Sequence, residues 1–130
     1  MDSSTCHTHR LCVAPMMQCT DRHFRFLARL LSKHSRLYTE MITASALIHG
    51  DRKALLEFNE CEHPLALQLG GSSPAEMQQC VEYAAEYDYD EVNINAGCPS
   101  DRVQAGRFGA CLMLEPATVA DCIRAMKLAA

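Results

Sequence analysis

Residues 90–100 read Asp-Glu-Val-Asn-Ile-Asn-Ala-Gly-Cys-Pro-Ser: a short apolar run that gives way at Gly97-Cys98-Pro99 to a loop rich in glycine and polar residues. Three similar runs precede it. They begin near Leu11 (Leu-Cys-Val-Ala-Pro-Met), Leu37 (Leu-Tyr-Thr-Glu-Met-Ile) and Pro64 (Pro-Leu-Ala-Leu-Gln-Leu-Gly). The four starts, counting Asp90, lie 26, 27 and 26 residues apart. That interval accommodates a β-strand, a helix and two loops, so the chain reads as βα units forming a parallel sheet. The runs are nearly continuous instead of alternating, as expected of strands covered on both faces. No residue-level repeat accompanies the spacing, which excludes a solenoid signature.

A helix signal follows most of the runs. Thr20 or Asp21 can cap a helix from Arg22 to about Lys33, with Phe24, Leu27 and Leu31 on one face. Ser72 or Ser73 precedes Pro74 and Glu76, a good helix start. Glu115-Pro116 opens a third segment, in which Val119, Ile123 and Met126 are expected to face a core. The second unit is least clear, with one helical turn expected over 44–48 and a loop at 49–51. Four such units build either an open sheet or half of an eight-stranded barrel. A complete barrel takes about 250 residues, and these 130 residues stop after about four units.

The chain carries 130 residues, a formal net charge of −4 and no apolar run long enough to span a membrane. Its first ten residues lack the apolar core of a secretory signal. The eight cysteines are scattered with no Cys-x-x-Cys pair, so a reduced, cytoplasmic protein is expected instead of a disulfide scaffold. The acidic balance argues against a generally basic nucleic-acid coat. Arg22, Arg25, Arg29, Lys33 and Arg36 recur at steps of three and four, either a solvated outer helix face or a stripe for RNA phosphates. Cys6, His7 and His9 lie close together, but no second ligand pair stands at zinc-site spacing, so no metal site is expected. Residues 1–9 are read as a disordered N-terminal segment and 10–130 as the folded unit.

In parallel α/β folds ligands bind at the carboxyl ends of the strands. Three of the runs carry unusual residues there. The first ends in Ala14-Pro15-Met16-Met17, the third in Gln68-Leu69-Gly70-Gly71, and the fourth in Asn93-Ile94-Asn95-Ala96-Gly97-Cys98-Pro99. Gly70-Gly71 permits close backbone approach to a ligand, although an ordinary strand-to-helix turn explains it equally. Gln68 is an amide near the end of a buried strand, and both of its ends can pair with an imide edge. Cys98 sits in a setting that exposes a thiol. An unperturbed thiol, with a pKa of about 8.5, stays mostly protonated near neutrality and can act as a proton donor. A nucleophilic role needs a paired base, and none of the six histidines is recognisable as one.

The segments VAPMMQCTDRHFR, LYTEMIT, HPLALQLGGS and NINAGCPSDRVQAGRFGACLM, taken in order and spacing, resemble the tRNA-dihydrouridine synthases, in particular the bacterial branch acting on uridines 20 and 20a of the D-loop. The resemblance runs from about Arg10 to the last residue. It implies the first half of a (β/α)8 TIM-type flavin-binding barrel, with the second half and a helical tRNA-binding domain absent. It implies FMN as cofactor, NADPH as reductant, tRNA as substrate, and no evident protein partner. Carried over residue by residue, Pro15, Met16 and Met17 pack against the flavin and Gln68 bonds its pyrimidine edge. Asn95 contacts flavin or the flipped uridine, Cys98 is the acid, and Arg102 approaches a tRNA phosphate. Two other readings compete: a flavin barrel reductase acting on free pyrimidine or dihydroorotate, and a non-catalytic truncated remnant. A fragment without the flavin-binding lysine and phosphate loops of the second half is expected to be inactive alone.

Overall fold

The computed structural model describes residues 9–130; Cys6, His7 and most of the expected N-terminal segment lie outside the described residues. The elements alternate as the spacing predicts. Strands β1 (Cys12–Val13), β2 (Arg36–Thr43), β3 (Leu65–Gly70) and β4 (Glu91–Ile94) form one parallel sheet in the order β1-β2-β3-β4. Helices α1 (Arg22–Leu31), α2 (Ala44–His49), α3 (Arg52–Leu56), α4 (Pro74–Ala84), α5 (Asp101–Ala105) and α6 (Pro116–Ala129) fill the connections. This sequential order is that of one stretch of a barrel wall, as expected for the first half of a (β/α)8 barrel.

The helix starts follow local chemistry. The Asp21 carboxylate accepts the Phe24 N–H at 2.9 Å, and Ser73 Oγ accepts the Glu76 N–H at 3.5 Å ahead of Pro74. One side of the sheet is dry. Leu67 and Leu69 of β3 pack there with Leu47, Met77, Cys80 and Cys122. Because strand side chains alternate, Ala66, Gln68 and Gly70 point to the opposite face, the interior of the curve. A register shift in β2 between Tyr38 and Met41 sets Met41 beside Gln68.

Three expectations need correction. Helix α1 ends at Leu31, and its buried residues are Arg25 and Arg29, while Leu27, Leu30 and Leu31 face outward. Arg25 Nε lies 2.5 Å from Glu62 Oε2, and Arg29 donates to the carbonyls of Ser32, Ser35, Glu62 and Pro64 at 2.8–3.2 Å. Arg36 is buried too, so the five basic residues are neither a solvated face nor an RNA stripe; only Arg22 and Lys33 are exposed. The second correction concerns α6, where Cys122 and Met126 form the buried face, with Val119 half-buried and Ile123 39% exposed. The third concerns the loop after β4. It is not irregular throughout, because α5 and a 3₁₀ turn at Gly109–Leu114 organise it.

Candidate functional site

The carboxyl ends of the strands enclose a cleft of about 730 Å³. That volume suits a small-molecule ligand. Pro15 and Met17 reach it from the loop after β1, Met41 from β2, Gln68 from β3, and Asn95 and Cys98 from the segment after β4. Met16 is not among the residues that line it. Arg102 has its backbone in α5, and its side chain lies outside the described residues. A second cleft, of about 610 Å³, runs along β4 between α4 and α6 and holds none of the expected site residues.

Met17 is held in place by its neighbours. The buried Thr20 hydroxyl accepts the Met16 N–H at 3.0 Å and donates to the Met16 carbonyl at 3.2 Å. Gln18 adopts left-handed backbone, φ 61°, and its N–H donates to the Glu40 carboxylate on β2. A non-glycine residue in that region is uncommon and persists where the surroundings over-determine it. The turn therefore ties Met16 down through its main chain and leaves Met17 on the cleft wall.

The polar wall carries two carboxamides, Gln68 and Asn95, and Asn93, which lines the second cleft, stands beside Gln68 in the sheet. Asn95 Nδ2 donates to Gln68 Oε1 at 2.9 Å, and Gln68 Nε2 donates to Asn93 Oδ1 at 3.2 Å. The Gly97 and Cys98 N–H groups donate to Asn95 Oδ1 at 3.1 and 2.9 Å. Asn95 thus holds the cysteine loop. From the other side, the Cys98 carbonyl accepts the Ala110 N–H at 2.9 Å. That approach requires Gly109, whose φ is 65° and where a Cβ would fall 2.6 Å from the Cys98 oxygen. The role expected of Gly70 and Gly71 is different. A Cβ at Gly70 would meet Met41 Sδ and Phe108 Cε2 at 2.8 Å, and one at Gly71 would meet Met77 Sδ at 2.8 Å. Packing within the protein accounts for both.

The Cys98 thiol lies 3.4 Å from Ser100 Oγ, its only hydrogen-bond partner among the described residues. The Ser100 hydroxyl, and then its backbone N–H, draw the thiol pKa below its ordinary value. The unperturbed thiol expected from sequence is thus corrected to a more acidic one. Burial does the opposite to Cys80, pushed up to about 11 with Glu76 adding to the effect. Cys122 is raised for the same reason. Among the described cysteines, Cys98 combines a place in the cleft with a lowered pKa. No three His, Cys, Asp or Glu side chains among the described residues converge to hold a metal ion.

Ser100, Gly109 and Glu40 escape sequence reading, and Asn93 is marked only as part of a polar strand end, because each acts on a neighbour instead of carrying a recognisable motif. The Phe108-Gly109-Ala110 step offers a lone glycine as its only signal.

A parallel sheet that brings apolar, carboxamide and thiol side chains to the carboxyl ends of its strands defines a ligand-binding α/β protein of the barrel or doubly wound class. The family model for dihydrouridine synthase (Dus) matches residues 12–130, and the chain belongs to that family. Relatives named tRNA-dihydrouridine(20/20a) synthase are 63% identical over 119 residues in Pseudomonas aeruginosa, 65% over 117 in Xanthomonas campestris and 60% over 121 in Vibrio parahaemolyticus. The matches cover 92%, 90% and 93% of this chain, but only 36%, 35% and 37% of the relatives.

Proposed function

We propose that the full-length protein is a flavin-dependent tRNA-dihydrouridine synthase that reduces uridine in the D-loop, at positions 20 and 20a, at the expense of NADPH. Family membership and the relatives' names support the reaction, and one observation supports the site: Met17, Gln68 and Cys98, far apart in sequence, border the same cleft. The cleft fits a flavin. Pro15, Met17 and Met41 offer an apolar wall to a flat ring, and Gln68 retains one N–H and one lone pair for a ring edge. Met16 contributes through the main-chain turn that sets Met17.

When bound, FMN reduced by NADPH supplies the hydride that C6 of the uracil receives. Cys98 supplies the other half of the addition. Its Sγ–H gives a proton to C5, so the C5–C6 double bond becomes single, and the thiolate recovers a proton from water. Ser100 stabilises that thiolate, which strengthens Cys98 as an acid. The target base must leave its stack to reach the cleft. Arg102, on the helix after the cysteine loop, is assigned a tRNA phosphate contact.

The test uses the full-length protein with unmodified tRNA, FMN and NADPH. Dihydrouridine should form, and Cys98→Ala should keep its flavin absorbance while turnover falls by roughly 10²-fold or more. Undiminished turnover in Cys98→Ala removes the thiol from the reaction. Activity on free uracil or dihydroorotate, with none on tRNA, replaces the substrate assignment.

A further inference from the structure

We propose that Asn95, Gln68 and Asn93 form a one-way carboxamide relay that couples flavin seated at Gln68 to the placement of Cys98, with Asn93 as the positioning residue at its far end. This rests on the flavin reading given above.

The direction of the relay follows from chemistry alone. The Gly97 and Cys98 backbone N–H groups can only donate, so Asn95 must turn its Oδ1 toward them. Its Nδ2 is then left to face Gln68, which must present Oε1, at 2.9 Å. Gln68 Nε2 in turn faces Asn93, which must present Oδ1, at 3.2 Å. Flipping any one amide would set two donors or two acceptors against each other. Two backbone N–H groups in the cysteine loop therefore determine which way Gln68 presents itself to the cleft.

Aligned amide dipoles polarise one another, so each bond in such a chain strengthens the next. A ring edge that accepts from the remaining Gln68 N–H makes Oε1 a better acceptor for Asn95, and so tightens the hold of Asn95 on the loop, while one that donates to the remaining lone pair makes Nε2 a better donor to Asn93. Asn93 occupies the register position beside Gln68 on the interior face of β4, while Val92 and Ile94 pack against the helices. Without its oxygen Gln68 loses the acceptor for Nε2 and can rotate away from the cleft.

The experiment uses full-length protein stripped of flavin, with Asn93→Leu to remove the acceptor at similar size and Asn93→Asp to keep it. Two readouts need neither tRNA nor NADPH. One is FMN titration; the other is the iodoacetamide alkylation rate of Cys98, read by peptide mapping with and without FMN. In the wild type, FMN should change that rate by about fivefold or more. Asn93→Leu should bind FMN about tenfold more weakly, and at saturating FMN should show less than about twofold change. Asn93→Asp should restore both. If Asn93→Leu fails to fold, Asn95→Ser, which cuts the relay where it joins the loop, should give the same loss of coupling.

Wild-type coupling that persists in the folded variants overturns the relay, as does a wild-type Cys98 whose alkylation ignores bound FMN. A wild type that binds no FMN overturns the flavin reading and the relay together. Unchanged turnover in Cys98→Ala overturns the acid role and leaves both relay readouts intact.

Discussion

Ser100 determines how readily Cys98 gives up its proton, through a contact of 3.4 Å from its hydroxyl. A hydrogen bond to the thiolate favours the charged form and lowers the pKa. Ser100→Ala removes the larger of the two contributions, so the midpoint of Cys98 alkylation against pH should move to higher pH. Peptide-resolved alkylation checks this, and a midpoint that stays in place or moves down refutes it. At the same scale, Gln68 and Cys98 were legible in the sequence because their chemistry is unusual where a strand ends. Pro15 and Met17 were marked by their place at the end of the first run and by the family resemblance. Ser100 was not, and Asn93 stood out only as part of a polar strand end, because what matters about them is a distance to another side chain.

Helix α1 shows how an element's sequence can be read in the right place and the wrong way round. Asp21 and the apolar period located the helix, but the period was assigned to the wrong face. Two arginines turned inward find a buried carboxylate and a set of main-chain carbonyls to which no leucine could donate. Glu62 is wholly buried, and its other oxygen accepts from Asn59 at 2.9 and 3.1 Å. Arg25→Ala leaves that carboxylate without its cation and should cost about 3–5 kcal/mol in urea unfolding of the full-length protein. The double change Arg25→Met, Glu62→Met should recover most of the loss, because a buried pair replaced by apolar groups of similar volume is often neutral. A single change costing less than about 1 kcal/mol contradicts the pairing.

For the whole molecule the sheet ends matter most. Among the described residues, β1 and β4 are its two edges, and α1 presents Leu27, Leu30 and Leu31 at 55%, 68% and 81% exposure. Unpaired parallel edges and a contiguous leucine face favour association. A polypeptide consisting of these 130 residues alone should form oligomers or aggregates at micromolar concentration, measured by light scattering, and turn over no tRNA. Lysine at Leu27 and Leu31 should lower the association. A monodisperse, active 130-residue monomer refutes this.

The regular interval between apolar runs, together with the caps at Asp21 and Ser73, was enough to determine a parallel βα order, because these signals are local and repeat along the chain. The same holds for the residues that stand at strand ends. Tertiary structure alone decided which face of α1 is buried, why Gly70 and Gly71 are glycines, and how Asn93, Gln68 and Asn95 align. Those outcomes depend on atoms brought together from distant parts of the chain, and a hydrogen bond or a steric overlap exists only once both partners are placed.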